Sequence, residues 1–125
     1  MGGVAFRATM CRVTDACLFC RIVAGEIPAE EVASTDTAVA FRDVNPQAPL
    51  HVLVVPRTHL PDAAALAEAE PATVAALVSL ARHVATDAGH ESYRLVFNTG
   101  ADAGQTVFHA HLHVLAGRSL TWPPG

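Results

Sequence analysis

The chain has 125 residues, 51% of them apolar, and a net charge of −4 from twelve acidic residues and eight cationic ones, all arginine. That length suits one domain, which buries roughly two-thirds of its unfolded surface and needs no covalent staples. Apolar runs fall short of the roughly 20 residues of a membrane span, and no basic face gathers for nucleic acid, so neither function class is expected.

Residues 1–14 follow no period and read as a flexible leader. They lack the long apolar core of a secretory signal, which points to the cytoplasm. In "DACLFCRIVAGEIP", Asp15 is a candidate N-cap, Gly25 a stop and Pro28 a barrier, which predicts a short helix over 18–24. "EEVAST" and "AVAFRDV" are strand-like and meet at Thr35-Asp36, a hairpin candidate. "LHVLVVP", apolar and β-branched up to Pro56, predicts a central strand. The Ala-rich stretch 62–89 is helical and divided by Pro71, which suits the first turn of a second helix. There Val74, Leu77, Val78, Ala81, Val84, Ala85 and Ala88 form an apolar stripe, and Gly89 ends it. "SYRLVFN" and "TVFHAHLHVL" predict two further strands around the loop "TGADAG", and "AGRSLTWPPG" is an irregular tail. The order predicts an α+β fold: an antiparallel sheet with helices packed on one face.

"HAHLHVL" carries three of the seven histidines in five residues. On a strand, His109, His111 and His113 share one face, and Ala110, Leu112 and Val114 the other. A solvated face would need no particular side chain, so three imidazoles in register point to chemistry. Two chemistries fit. The rings could hold a catalytic metal, as three protein ligands do in zinc hydrolases. Alternatively, one ring attacks phosphorus while its neighbours manage charge and protons. The preceding "NTGADAGQT" favours phosphate, because glycine-rich backbone approaches anions closely and Gln105 and Thr106 add donors.

"GQTVFHAHLHVL", "FRDVNPQAPLHVLVVPRTHL" and "GRSLTWPPG" together resemble the histidine triad (HIT) nucleotide-binding proteins, and the tail resembles the Hint branch. The resemblance runs from about Cys17 to Gly125. It implies a HIT-like fold: an antiparallel sheet of about five strands with two main helices. It also implies one HIT domain over 15–125, paired as a homodimer, with the tail 116–125 near the partner's site. The implied activity is hydrolysis of purine nucleoside 5′-phosphoramidates, derivatives of AMP or GMP, with no cofactor needed for the chemistry.

Residue by residue, the resemblance makes His111 the nucleophile, with His109 and His113 as flanking triad members and His51 as the fourth histidine. Thr106 serves the leaving group. Asp43 takes the ribose hydroxyls, and Leu18, Phe19, Ile22, Phe41, Val44 and Leu53 wall the base. Asn98, Gly104 and Gln105 belong to the phosphate side, and Trp122 to the tail near the partner. Read without the family, Phe41, Val44 and Leu53 are core candidates, Asp43 a surface carboxylate and His51 a satisfied core histidine.

Cys17-x-x-Cys20 with His59 and His109 matches a zinc set found in other, mostly prokaryotic, family members. Two thiolates and two imidazoles make a closed tetrahedral shell, which implies a structural ion. A redox pair or two buried thiols would also account for the cysteines alone. Cys11 has no assigned role, and His83 and His90 read as surface residues. Rivals to the phosphoramidase reading are a dinucleoside polyphosphate hydrolase or nucleotidyl transferase of the same family, a non-catalytic nucleotide-binding scaffold, and a metal hydrolase using the triad as ligands.

Overall fold

The computed structural model describes residues 16–125 and the backbone of the two-residue strand β1 (Thr9–Met10). The rest of the expected leader, with Asp15 and Cys11, lies outside the described residues. Helix α1 (Leu18–Val23) is followed by strands β2 (Glu31–Ser34), β3 (Ala38–Arg42), β4 (Leu50–Pro56) and β5 (Thr58–His59). Helices α2 (Ala63–Ala69) and α3 (Pro71–Asp87), strand β6 (Arg94–Phe97), a 3₁₀ turn (Ala101–Ala103) and strand β7 (Leu112–Ala116) complete the chain. The main sheet is fully antiparallel in the order β2-β3-β4-β7-β6, and β1 pairs separately with β5.

Local chemistry accounts for the joints. Thr35 Oγ1 accepts from the N–H groups of Thr37 and Ala38, tightening the β2–β3 hairpin. Asp62 caps α2 by accepting from Ala65 N–H at 2.9 Å. Pro71 opens α3, where a missing N–H costs nothing. Glu70, between the two helices, accepts from the Thr73 hydroxyl at 2.8 Å.

The two sheet faces differ in kind. Leu50, Val52 and Val54 of β4, with Leu112, Val114 and Ala116 of β7, pack on α2 and α3 through Leu66, Leu77, Leu80, Ala81, Val84 and Ala85. The opposite face holds Val39, Phe41, Leu53 and Val55, and there Phe19 of α1 packs. The helices therefore do not all lie on one side: α1 covers the other face. The stripe of α3 is also rotated from the expected one. Val78 and Ala88 are exposed, and Thr73 and Leu80 are buried. In an Ala- and Val-rich helix several faces are apolar enough, and packing on the sheet selects among them.

Strand β7 is shorter than expected, starting at Leu112 rather than carrying all three histidines. Its partner β4 supplies the reason. Val54 pairs with Leu112, but Pro56 has no N–H, and its carbonyl is 2.9 Å from Nε2 of His109. The ladder ends there, and the chain bearing His109 and His111 leaves the sheet.

Candidate active site and a Cys–His cluster

Period-two alternation puts His51, Leu53 and His113 on the face that α1 partly covers. His113 stands opposite Leu53, and His51 opposite Leu115, so the two imidazoles are diagonal cross-strand neighbours. His111 follows just outside the strand, its ring centroid 5.1 Å from that of His113. A cavity of about 410 Å³ opens over this row. Its walls include Leu18, Phe19, Ile22, Phe41, Val44 and Leu53, and its polar side carries Asp43, Thr106, His111 and His113. Phe19 meets Phe41 edge to face at 5.5 Å and His111 at 5.0 Å, which fixes the back of the slot. Sequence reasoning missed the rim at residues 27–30, with Arg42 and Val107. Only Pro28 gives that rim a sequence signal, and the structure ties it to β3 through the Glu30–Arg42 pair at 2.8 Å.

The ring hydrogen bonds determine what each imidazole presents. His111 Nδ1 is 2.8 Å from the carbonyl of His109, an acceptor, so Nδ1 carries the proton and Nε2 has a bare lone pair. His51 is set in the opposite sense. Its Nδ1 accepts from Gln47 N–H at 3.0 Å, and its proton therefore sits on Nε2. That nitrogen lies 2.9 Å from Nδ1 of His113 and 3.4 Å from Asp43 Oδ2. Donation into His113 Nδ1 leaves the His113 proton on Nε2. One ring thus offers a bare nitrogen lone pair and the next an N–H group.

Burial agrees with neutral rings. Desolvation lowers the pKa of His113 to about 4, helped by His111 and His51 and opposed by Asp43. Desolvation likewise lowers that of His51, again against Asp43. The unfolded chain therefore takes up protons first on acidification. The stability these neutral rings contribute is full above pH 6.5 and lost as pH falls from there towards 4. Urea unfolding at pH 7.5 and pH 4.5 should show a smaller acid loss for His113→Gln than for the wild type; equal losses would contradict this assignment.

His109 is turned away from the cavity and fully buried. Its Nε2 donates to the Pro56 carbonyl, leaving Nδ1 free to face Cys17 Sγ at 3.4 Å, Cys20 Sγ at 3.6 Å and His59 Nδ1 at 3.2 Å. Cys20 Sγ is 3.3 Å from His59 Nδ1. A tetrahedron with metal bonds of about 2.0–2.3 Å has edges of about 3.3–3.8 Å, so these separations fit the four donors around one ion. The carbonyl behind His109 orients its ring as outer-shell partners of metal sites do. Cys20 also takes part in a disulfide, and a sulfur in that bond offers no thiolate, so the four-ligand set requires its reduced form. The three histidines of the triad do not converge on a common point, which removes the geometric basis for the triad as a metal hydrolase centre.

The remaining expected residues lie outside the cavity walls. Gln105 is buried. It accepts from Gly100 N–H at 2.9 Å and donates to the carbonyls of Pro61 and Val107, at 2.7 Å and 3.0 Å. Its amide is used in shaping the loop. Gly104 adopts a left-handed φ of 98° beside Asn98. Trp122 is 82% exposed.

Solved structures of other proteins share this fold. The HIT domain family model matches residues 24–120, and the chain belongs to the HIT family. An uncharacterized HIT-like protein of Synechocystis is 49% identical over 109 residues, covering 86% of this chain and 96% of that protein. The crystal structure of a HIT family hydrolase from Legionella pneumophila superposes with a TM-score of 0.83 at 43% identity, covering 87% of this chain and 99% of that one. A Zn-bound histidine triad family protein from Mycobacterium smegmatis gives 0.74 at 34% identity, covering 82% and 76%. Among the described residues, no helix is long and apolar enough to cross a membrane.

Proposed function

We propose that this protein hydrolyses the P–N bond of purine nucleoside 5′-phosphoramidates through a covalent nucleotidyl intermediate on His111. The observation that carries the reading is the bare Nε2 of His111, held by the His109 carbonyl at the floor of an apolar slot. The base enters between Phe19, Phe41 and Leu53, bounded by Leu18, Ile22 and Val44. Asp43 accepts from the ribose hydroxyls at the rim. This puts the α-phosphorus over His111 and His113.

Nε2 attacks phosphorus as the P–N bond breaks. The amine leaves with a proton that the Thr106 hydroxyl passes from solvent, and His111 retains its Nδ1 proton on the His109 carbonyl. His113 Nε2–H donates to a non-bridging oxygen, where charge builds in the transition state. Asn98, Gly104 and Gln105 shape the loop that completes the phosphate side. Water then attacks phosphorus, the P–Nε2 bond breaks, and nucleoside monophosphate departs. Two easier displacements replace one hard one. Mass spectrometry of protein quenched in mid-turnover with adenosine 5′-phosphoramidate should find an added adenylate on His111. Its absence under burst conditions would argue for direct hydrolysis or for a binding role.

Cys17, Cys20, His59 and His109 would hold a structural zinc ion, a reading supported by their tetrahedral spacing and by the Zn-bound relative. Bound there, the ion supplies cross-linking of α1 to the segment before β7, since four protein ligands leave no open position. The reduced thiols this requires suit a cytoplasmic setting. The active form is a homodimer in which the exposed Trp122 of the tail reaches towards the partner's site.

A further inference from the structure

Gln47 lies in the turn between β3 and β4, outside the cavity, yet its N–H determines which nitrogens of His51 and His113 carry protons. That turn is held by the tail. Arg118 Nε donates to the Gln47 carbonyl at 2.9 Å, across 71 residues of sequence, and Arg118 is braced by donating from Nη1 to the Ser119 carbonyl at 3.0 Å. The next residue back is fitted to the same turn. Gly117 has a left-handed φ of 98°, and a Cβ there would come within 2.9 Å of Pro49 Cβ. On the turn's own side, Asp43 Oδ1 accepts from Asn45 N–H at 2.8 Å, and the Gln47 side chain donates to the Asn45 carbonyl at 3.0 Å. Two consecutive tail residues therefore grip the one turn whose amide points at His51.

We infer that Arg118 is a positioning residue for the triad: by fixing the Gln47 carbonyl, it restrains the residue whose own N–H, across the same Cα, faces His51, and so locks His51 with its proton on Nε2 and His113 as a donor into the cavity. Without the grip, the Gln47 amide drifts from His51 Nδ1. Either tautomer of His51 then becomes accessible, and a His51 with its proton on Nδ1 turns a bare Nε2 towards His113. His113 must then place its own proton on Nδ1 and face the cavity with a lone pair. A lone pair repels a phosphate oxygen where an N–H would bind it. The inference rests on the phosphoryl-transfer reading for its effect on rate, but the tautomers themselves can be observed without any substrate.

Two-bond ¹⁵N–¹H correlation spectra of the imidazole rings in ligand-free protein distinguish protonated from bare ring nitrogens. The wild type should show bare Nδ1 in both His51 and His113. Arg118→Ala should show a mixture at both rings. Its kcat on an adenosine phosphoramidate should fall by about tenfold to a hundredfold, the scale of a small loss of alignment, while KM moves less than about twofold. Arg118→Lys, whose ammonium can still donate to the Gln47 carbonyl, should recover the wild-type spectrum and most of the rate; it is also the variant to read if the alanine protein does not fold. Wild-type His51 protonated on Nδ1 would overturn the inference. So would an Arg118→Ala spectrum with both rings unchanged, or an Arg118→Lys spectrum as mixed as that of a folded alanine variant. If the spectra behave as expected but no phosphoramidate is turned over, the proposed activity fails and the positioning role stands.

Discussion

His111→Ala is expected to lower kcat/KM for an adenosine 5′-phosphoramidate by at least about 10⁴-fold, the scale on which removing a nucleophile costs covalent enzymes. Affinity for AMP should change by less than about threefold, or under 1 kcal/mol. The difference between those two effects follows from the structure. The slot for the base is built by Phe19, Phe41 and Leu53, and the loss of one ring from its floor removes an edge-to-face contact with Phe19 but no wall. Equilibrium titration with AMP and steady-state turnover on one preparation would test both halves. Turnover within tenfold of wild type would remove His111 from the centre of the reaction. The same pair of assays run with a dinucleoside polyphosphate decides between hydrolysis of P–N and of P–O–P linkages, since both would pass through the same ring.

The second large effect concerns the cysteine–histidine cluster. Protein prepared under reducing conditions should contain one zinc per chain. His59→Ala should lose it and be destabilised by about 3–5 kcal/mol, which for a domain of this size is a drop in Tm of roughly 10–20 °C. The reason is geometric. The cluster joins α1 to His109 and β5 at a point where β7 has already left the ladder, so few backbone hydrogen bonds remain there to hold the parts together. Chelation of the wild type should lower Tm in the same direction. At a temperature where the chelated protein is still folded, turnover should persist, because a closed shell activates no water. Immediate loss of turnover on chelation with Tm unchanged would make the ion catalytic and the structural reading wrong. Metal content close to zero in reduced protein would remove the ion altogether.

Much of the fold was legible because proline and glycine punctuate it. Pro56 ends the central strand, Pro71 opens α3, and the Thr35-Asp36 pair forms the hairpin, each through a local rule that packing does not override. What was not legible depended on contacts distant in sequence. A six-residue helix has too little periodicity to say which side of a sheet it covers, so the placement of α1 had to come from Phe19 meeting Phe41. The phase of α3 was hidden by its own composition: where alanine and valine occupy most positions, the sheet rather than the sequence chooses Leu80 over Val78.

The site shows the same division. Residue type and alternation bring His51 and His113 to one face, and ten of the side chains expected around a nucleotide line one cavity. Alternation failed at His109, since Pro56 both stops the ladder and accepts a hydrogen bond from that ring, turning it towards the cysteines. The role of the Gln47 amide was invisible for a different reason. A backbone N–H is offered by every residue but proline, and nothing in the letter Q marks the one that faces an imidazole.

Both rings that matter most are oriented by oxygens of the main chain: His111 by the carbonyl of His109, and His109 by that of Pro56. A peptide oxygen survives every amino-acid replacement at its own position. Replacement of side chains around the pocket can therefore reshape its walls without first turning the bare nitrogen of His111 away from it. The orientation of these two rings is thus written into the path of the backbone, and only a change in that path would redirect them.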